Sequence, residues 1–552
     1  MAQPSEQPST NVLDKGLKPG ALSLVASTVI GVASTAPAYS IAATLGSVAL
    51  VVGFLSPAIM LISFIPMLFI AASMYYFNRV DPDCGTTFSW VTRAFGPMQG
   101  WMNGWATIVS DVVVMPSLAL IAAKYTFLLF NATSAANSVL WVTVLGVAFI
   151  VAMTVVCYLG IELNARTQFV MLAAEIIVLA VFSVVALVKV FALHPAGSVV
   201  PSWTWINPFS IKSWSGLSAG VLLAVFIYWG WDTSGSVNEE TAGSTKTPGV
   251  AMVLSTVVLL GIYVIVSLAA TAFKGPGFLG AHSDDVLSAM AKGVLGSPWD
   301  KLLLIAVLAS AAASAQTTIL PTARTTLSMA AHRAFPRSFA TTHEKYLTPT
   351  WSTIWMGVAS VACYVFLVVI NHNENILFDS ISGLGFSICF YYAVTGYACP
   401  VYFRRFLLRS PKDFLLMGLA PVLGSAALTW VFVKSAFVYW NPANAYSPPW
   451  FKFGHFSGVG APFVIGIGIL VIGIPLMFWQ RSSPRSAGFF ARKLEVATTL
   501  EEGSALGAVL GEEQVRELEA AESGPPSKPE RPRGEHQARW RRPINRWRRR
   551  SA

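Results

Sequence analysis

Three carboxylates lie inside apolar runs of this chain: Asp111 in "SDVVVMP", Glu175 in "MLAAEIIVL" and Asp232 in "FIYWGWDTSGSVNEE". An isolated carboxylate at bilayer depth costs about 3 kcal/mol or more, so such a group is normally paired, protonated or functional. Because desolvation penalises the charged form, each could bind and release a proton, or hold a cation or an ammonium group. Ser34 and Thr35 in "GVASTAPAYS", and Ser314, Gln316, Thr317 and Thr318 in a later run, add hydroxyls and an amide at the same depth. These hydroxyls could ligate Na+, although in membrane helices they usually bond back to the backbone. The five cysteines (Cys84, Cys157, Cys363, Cys389, Cys399) are scattered without a CxxC pair, and no HExxH occurs. No zinc or disulfide framework is indicated. With no nucleophile-plus-base motif either, neither an enzyme nor a cofactor is expected.

The elements that must position these groups follow from composition. Of 552 residues 54% are hydrophobic and 12% charged, with a mean hydropathy of +0.60, whereas a soluble domain carries roughly 25% charged residues. A helix needs about 20 apolar residues to cross roughly 30 Å of hydrocarbon. About twelve such runs occur: 21–47, 51–77, 98–130, 138–160, 167–191, 215–238, 249–273, 299–332, 350–371, 376–403, 412–437 and 460–481. The expected fold is an all-α polytopic membrane protein. Residues 1–20 are expected as a cytoplasmic N-terminal tail, 21–482 as the transmembrane domain and 483–552 as a cytoplasmic tail.

The polar N-terminus and the length of the first apolar run argue against a cleavable signal peptide. Orientation follows from Lys and Arg asymmetry. With the N-terminus inside, the inner loops receive Arg79, Arg93, Arg166, Arg324 to Arg337, Arg404, Arg405 and Arg409, and the outer loops contain Lys but no Arg. Both termini are then cytoplasmic, in a chain of the cytoplasmic membrane. The tail ends in "RWRRPINRWRRR" and contributes to the net charge of +10. It is expected to be disordered, with the Trp-interleaved Arg cluster either solvated or resting on anionic inner-leaflet lipid. A nucleic-acid partner is not expected for a polytopic chain.

Two runs are interrupted. Pro37 lacks an N–H and clashes with the carbonyl four residues back, so it frees backbone groups where no water is available. In the sixth run Gly230, Thr233, Ser234, Gly235 and Ser236 break the apolar pattern around Asp232. A simple proline kink would account for the first alone. A pair of interrupted helices, first and sixth, points instead to a transporter built from inverted repeats of five helices. Half-helix N-termini there face an anionic group, and unwound carbonyls accept cations or an ammonium.

The chain resembles the amino acid–polyamine–organocation permeases. "DPDCGTTFSWVTRAFGPMQGWMNGW" is similar to the family's pattern at Pro82, Gly85, Phe88, Arg93, Gly96, Gly104 and Trp105. "TARTTLSMAAHRAFPRSFATTHEKYLTPTW" matches its Arg, Pro, His and Thr-Pro signature at Arg324, Pro336, His343 and Pro349, and "GWD...NEE" matches the sixth helix. The resemblance implies a LeuT-type fold: a 5+5 inverted repeat with helices 1 and 6 broken, plus two C-terminal helices, and alternating access around a midplane site. It places Gly31, Val32 and Ala33 where backbone N–H groups bind the substrate carboxylate, Phe226 at an aromatic covering the substrate, and Asp232 at a carboxylate handling substrate or proton. Ser34, Thr35 and Gly230 complete the expected binding segment. Two departures stand out: Gly-Val-Ala where the family commonly has Gly at two of the three positions, and Glu175 where many sodium-independent members carry Lys.

Glu175 is read as a proton carrier, a Na+ ligand or a structural hydrogen-bonding group; Asp232 as a contact for the substrate ammonium or proton, or as a cap on the half-helix after the break. Asp111, Thr317 and Thr318 are further coupling-ion candidates, and Glu239 and Glu240 are read as gating or structural. The expected function is import of an amino acid or related amine, with H+ as the coupling ion. Exchange, Na+ symport and a transporter-like receptor are the alternatives. Substrate identity and oligomeric state are not legible from the residues.

Overall fold

The computed structural model describes residues 14–283, 285–371, 375–453 and 457–492. Among these the protein is helical, and its only β-pairings are isolated bridges. The first apolar region holds α1 (Leu24–Ser34), α2 (Pro37–Val52) and α3 (Ser56–Val80), followed by the short amphipathic α4 (Thr87–Phe95). The long α5 (Pro97–Leu129) leads through a single turn, α6 (Thr133–Ala136), to α7 (Val139–Leu159) and α8 (Ile161–Leu193). The interrupted sixth region contributes α9 (Trp214–Ile227) and the one-turn α10 (Thr233–Ser236). Next come α11 (Thr247–Ala281), α12 (Val286–Leu295), α13 (Lys301–Ala331), α14 (Thr350–Asn371) and α15 (Asn375–Tyr402). A short α16 (Pro411–Asp413), α17 (Ala420–Trp440), α18 (Ala461–Ser482) and a final turn, α19 (Ala487–Phe490), complete the order.

Among the described residues ten helical stretches are long and apolar enough to cross a membrane. The first, Leu24–Val80 (57 residues), joins α1, α2 and α3 across the break at Thr35 and Ala36, and covers most of the first expected run and all of the second. The sixth expected run is not among the ten, because Gly230 (φ 118°) and the turn before Asp232 divide it into pieces shorter than a span. Local chemistry explains both interruptions. Ala36 takes a left-handed conformation (φ 47°, ψ 65°) and Pro37 opens α2 at its first position, where its missing N–H costs nothing and its fixed φ suits a new helix. Gly230 adopts a φ that a Cβ would disfavour.

Burial separates a hydrophobic centre from a lipid-facing rim. The most apolar window of α5 is 78% buried and that of α13 is 72%, against 17% for α7. The helices α1, α2, α5 and α13, with α11 and α15, therefore enclose the polar groups, while α7 turns Trp141, Val144 and Val151 outward. The tail from residue 493, including its Arg/Trp cluster, lies outside the described residues.

Candidate functional site

At the end of α1 the freed carbonyls are met by hydroxyls. Thr35 Oγ1 donates to Val32 O at 2.7 Å, Ser40 Oγ to Thr35 O at 2.7 Å, and Ser314 Oγ of α13 to Ser34 O at 2.8 Å. The amides that open α2 are met by another pair. Ala38 N–H donates to Glu175 Oε1 at 2.6 Å, Tyr39 N–H to Ser310 Oγ at 3.3 Å, and Ser310 Oγ in turn to Glu175 Oε1 at 2.8 Å. Glu175, on α8, thus caps a half-helix whose own preceding residue, Ala36, has no side-chain acceptor. A carboxylate is well placed at a helix N-terminus, where the unsatisfied N–H groups carry partial positive charge. Its second oxygen, Oε2, is buried with no hydrogen-bond partner among the described residues.

The two interruptions touch. Ser34 Oγ lies 2.9 Å from Thr233 Oγ1, and Ser234 Oγ donates to Ser27 O at 2.8 Å. A Cβ on Gly230 would sit 2.9 Å from the carbonyl carbon of Ser34, and one on Gly31 would overlap the Ser234 and Ser255 hydroxyls. Both glycines are required by close approach of α1 to α10 and to the turn before it.

Beside this contact an aromatic group surrounds Asp232. Tyr392 donates to Asp232 Oδ1 at 2.8 Å and Tyr391 to Oδ2 at 3.2 Å. Trp229 Nε1 donates to the Tyr391 hydroxyl, and the Trp231 and Tyr392 rings stack with centroids 5.3 Å apart. Phe226 packs on Trp229 at 6.5 Å and lines the inner end of a cleft between α2, α9, α15 and α17, with Thr44, Ser382 and Cys389. Asp111 accepts from Thr322 at 2.6 Å and lies close enough to Asp232 for their charges to interact. Among the described residues neither carboxylate has a Lys or Arg partner. Ammonium recognition by carboxylate and ring faces is the chemistry such a group supports.

On the opposite side of the contact the protein is sealed by ion pairs. Lys15 Nζ lies 3.1 Å from Asp83 and 2.5 Å from Glu239. Asp83 also accepts from Ser328 at 2.6 Å and pairs with His332 at 3.0 Å. Burial works against the Lys15 ammonium, but Cys84, Asp83 and Glu239 around it hold it charged beyond the ordinary lysine range. Burial likewise opposes the Asp83 charge, and Lys15 with His332 overcomes this, holding the carboxyl well below its usual range. Glu240 pairs with Arg324 at 2.6 Å, and Glu239 also accepts the Cys84 amide. Asp83, Cys84 and Glu239 would otherwise suit a metal ion, but the Lys15 ammonium fills the space between the two carboxylates.

The structure brings Ser34 against Gly230 and against Thr233, the neighbour of Asp232; Phe226 packs on Trp229 and lines the cleft, and Glu175 caps the start of α2. It corrects the expectation that Gly31, Val32 and Ala33 offer free backbone N–H groups. These residues lie within α1, whose own carbonyls accept their amides, because the break falls later, at Thr35 and Ala36. Thr317 bonds back to Ala313 O and Ser314 O, and Thr318 is buried on the same helix; the hydroxyl that reaches the α1 break is that of Ser314. Tyr391, Tyr392, Ser310 and Lys15 were not predicted. The doublet in "FYYAVTGY" carried a signal, since two adjacent phenols at span depth need partners. Residues 14–20, read as tail, dock against the loops: Lys15 is buried between Asp83 and Glu239, and Lys18 pairs with Glu162.

Ten apolar helices around a polar, charge-bearing centre define an integral, multi-pass membrane protein. Comparison with known proteins gives its family. The model described as "Amino acid permease" matches residues 19–460, and the chain belongs to that family, within the superfamily its motifs resemble. Among curated relatives, the "uncharacterized transporter Rv1999c" of Mycobacterium tuberculosis is 27% identical over 302 residues, covering 53% of this chain and 64% of the relative. The match thus spans less than two thirds of that relative. The branched-chain amino acid permease BcaP of Bacillus subtilis is 24% identical over 53% of this chain and 63% of its own. The low-affinity putrescine importer PlaP of Escherichia coli is 21% identical over 67% of this chain and 78% of its own.

Proposed function

We propose that this protein is a secondary active permease that imports an amino acid or related amine across the cytoplasmic membrane by alternating access, coupled to H+. The observation that carries this reading is the contact between the two interrupted spans, beside which Tyr391 and Tyr392 hold Asp232, while Phe226 on α9 lines a cleft. The reading includes a twelve-span LeuT-type architecture in which Leu24–Val80 counts as two spans and α9 with α10 as a broken sixth. It also includes cytoplasmic termini, as the Arg distribution favours.

The cargo in this reading is recognised chiefly by its amino group. Asp232 and the rings of Trp229, Tyr391 and Tyr392 supply anionic and π-face partners, whereas the Gly31 to Ala33 amides are already engaged in α1. BcaP and PlaP carry names for an amino acid and a diamine, and both kinds of molecule have an amino group. The Lys15 and Arg324 ion pairs close the inner face while the cleft admits cargo from the other. Glu175 is the proton carrier: its unpartnered Oε2 is the atom that takes the proton, and the α2 cap on Oε1 links that proton to the α1 break.

Thermal stabilisation of the purified protein against a panel of amino acids and amines tests the cargo, since a ligand at 100 times its Kd adds about 2.7 kcal/mol. Amines and amino acids should stabilise, and carboxylic acids lacking an amino group should not. Uptake into proteoliposomes should survive removal of Na+ at constant pH. Complete loss would replace H+ by Na+.

A further inference from the structure

A second cleft, of about 1110 Å³, opens on the face sealed by Lys15, between the end of α13 and the end of α18. Its walls carry Arg333, Arg337 and Arg485 with the hydroxyls of Ser338 and Ser483. All three arginines are exposed, and among the described residues none pairs with a carboxylate. The walls are built rather than incidental. Arg333 takes a left-handed conformation (φ 64°) directly after α13, and Gln480 Nε2 bonds the buried Ser486 hydroxyl at 2.6 Å, fixing the turn that presents Arg485. Both α13 and α18 are long and apolar enough to cross a membrane and both end here, the level at which a spanning helix meets lipid phosphates. Trp479, 70% exposed, stands at its rim, and Phe478 and Ile474 continue an apolar strip up α18. Guanidinium groups at headgroup level, an interfacial Trp and an apolar strip leading into the bilayer match the phosphate and the acyl chain of one molecule.

We infer that this cleft binds the headgroup of an anionic phospholipid, with its phosphate among Arg333, Arg337 and Arg485 and an acyl chain along α18. This site is separate from the transport site and does not depend on the cargo proposed above. The test uses full-length protein in nanodiscs carrying a photoactivatable phosphatidylglycerol. Labelling should map to residues 330–340 and 479–486, and 10 mM inorganic phosphate should leave it unchanged. Arg333→Ala/Arg337→Ala/Arg485→Ala should weaken phosphatidylglycerol retention by about a hundredfold, at roughly fivefold per basic residue. Changing Arg404, Arg405 and Arg409 to Ala on the same face should leave retention within twofold. Labelling spread over the whole basic face, or equal retention of phosphatidylcholine, would overturn the proposal. Competition by inorganic phosphate would assign the site to a free anion instead. Labelling that appears only after removal of residues 493–552 would assign the cleft to that segment and also overturn it. The mapping on the unaltered protein stands even if the triple variant does not fold.

Discussion

Asp232 and Glu175 are both buried carboxyl groups, yet their surroundings give them different work. Asp232 accepts from two phenols that could be displaced by an incoming ammonium. Glu175 accepts from a backbone amide and a serine that no ligand can replace without opening α2. Asp232→Asn should therefore insert and fold normally while kcat/KM for transport falls about 10- to 100-fold, the range for losing one charged hydrogen-bond partner. Wild-type rates would remove Asp232 from the mechanism. Glu175→Gln keeps an oxygen for the cap but not a titratable group. Concentrative uptake should be lost while counterflow exchange between two pools of cargo survives, and uptake with unchanged pH dependence would end the proton-carrier reading.

At the scale of elements, the half-helices matter more than the spans that contain them. The α1 end and the turn before α10 are held at a distance that only glycine permits at 230. Gly230→Ala adds both an unfavourable φ and an overlap with Ser34, and should cost about 1–3 kcal/mol, read as a lower midpoint of thermal unfolding. The segment before α1 is a second such element. Lys15→Met leaves Asp83 and Glu239 buried without their ammonium, and breaking a buried pair from one side costs about 3–5 kcal/mol. The variant should unfold at lower temperature, and cysteine labelling at position 84 should become faster as the inner seal loosens.

For the molecule as a whole, the last described turn, α19, is more important than its length suggests. The segment expected as tail from residue 483 begins with contacts to the membrane region: Phe489 is buried against Phe88, and Arg492 contacts His332, which pairs with Asp83. Truncation after Arg492 should spare uptake. Truncation after Ala487 should lower both thermal stability and uptake, because it uncovers Phe88 and removes a neighbour of the inner seal. Equal behaviour of the two truncations would show that α19 contributes nothing to that seal.

The sequence by itself determined the membrane class, the apolar helices, the interruptions at Pro37 and Gly230 and the carboxylates within apolar runs, because each of these rests on local composition. An apolar run declares a helix, Pro37 declares a break, and Asp232 in a glycine- and hydroxyl-rich turn marks a buried carboxylate in need of partners wherever the rest of the chain lies. Tertiary structure alone decided which group meets which. Tyr391 and Tyr392 reach Asp232 from about 160 residues away, and Lys15 crosses to Glu239, 224 residues on. It also decided where the backbone is free: proline marks the start of α2, but the last turn of α1 runs on to Ser34, so the amides of Gly31 to Ala33 stay engaged. Local chemistry is written in neighbouring residues, whereas hydrogen-bond partners between spans depend on how those spans pack.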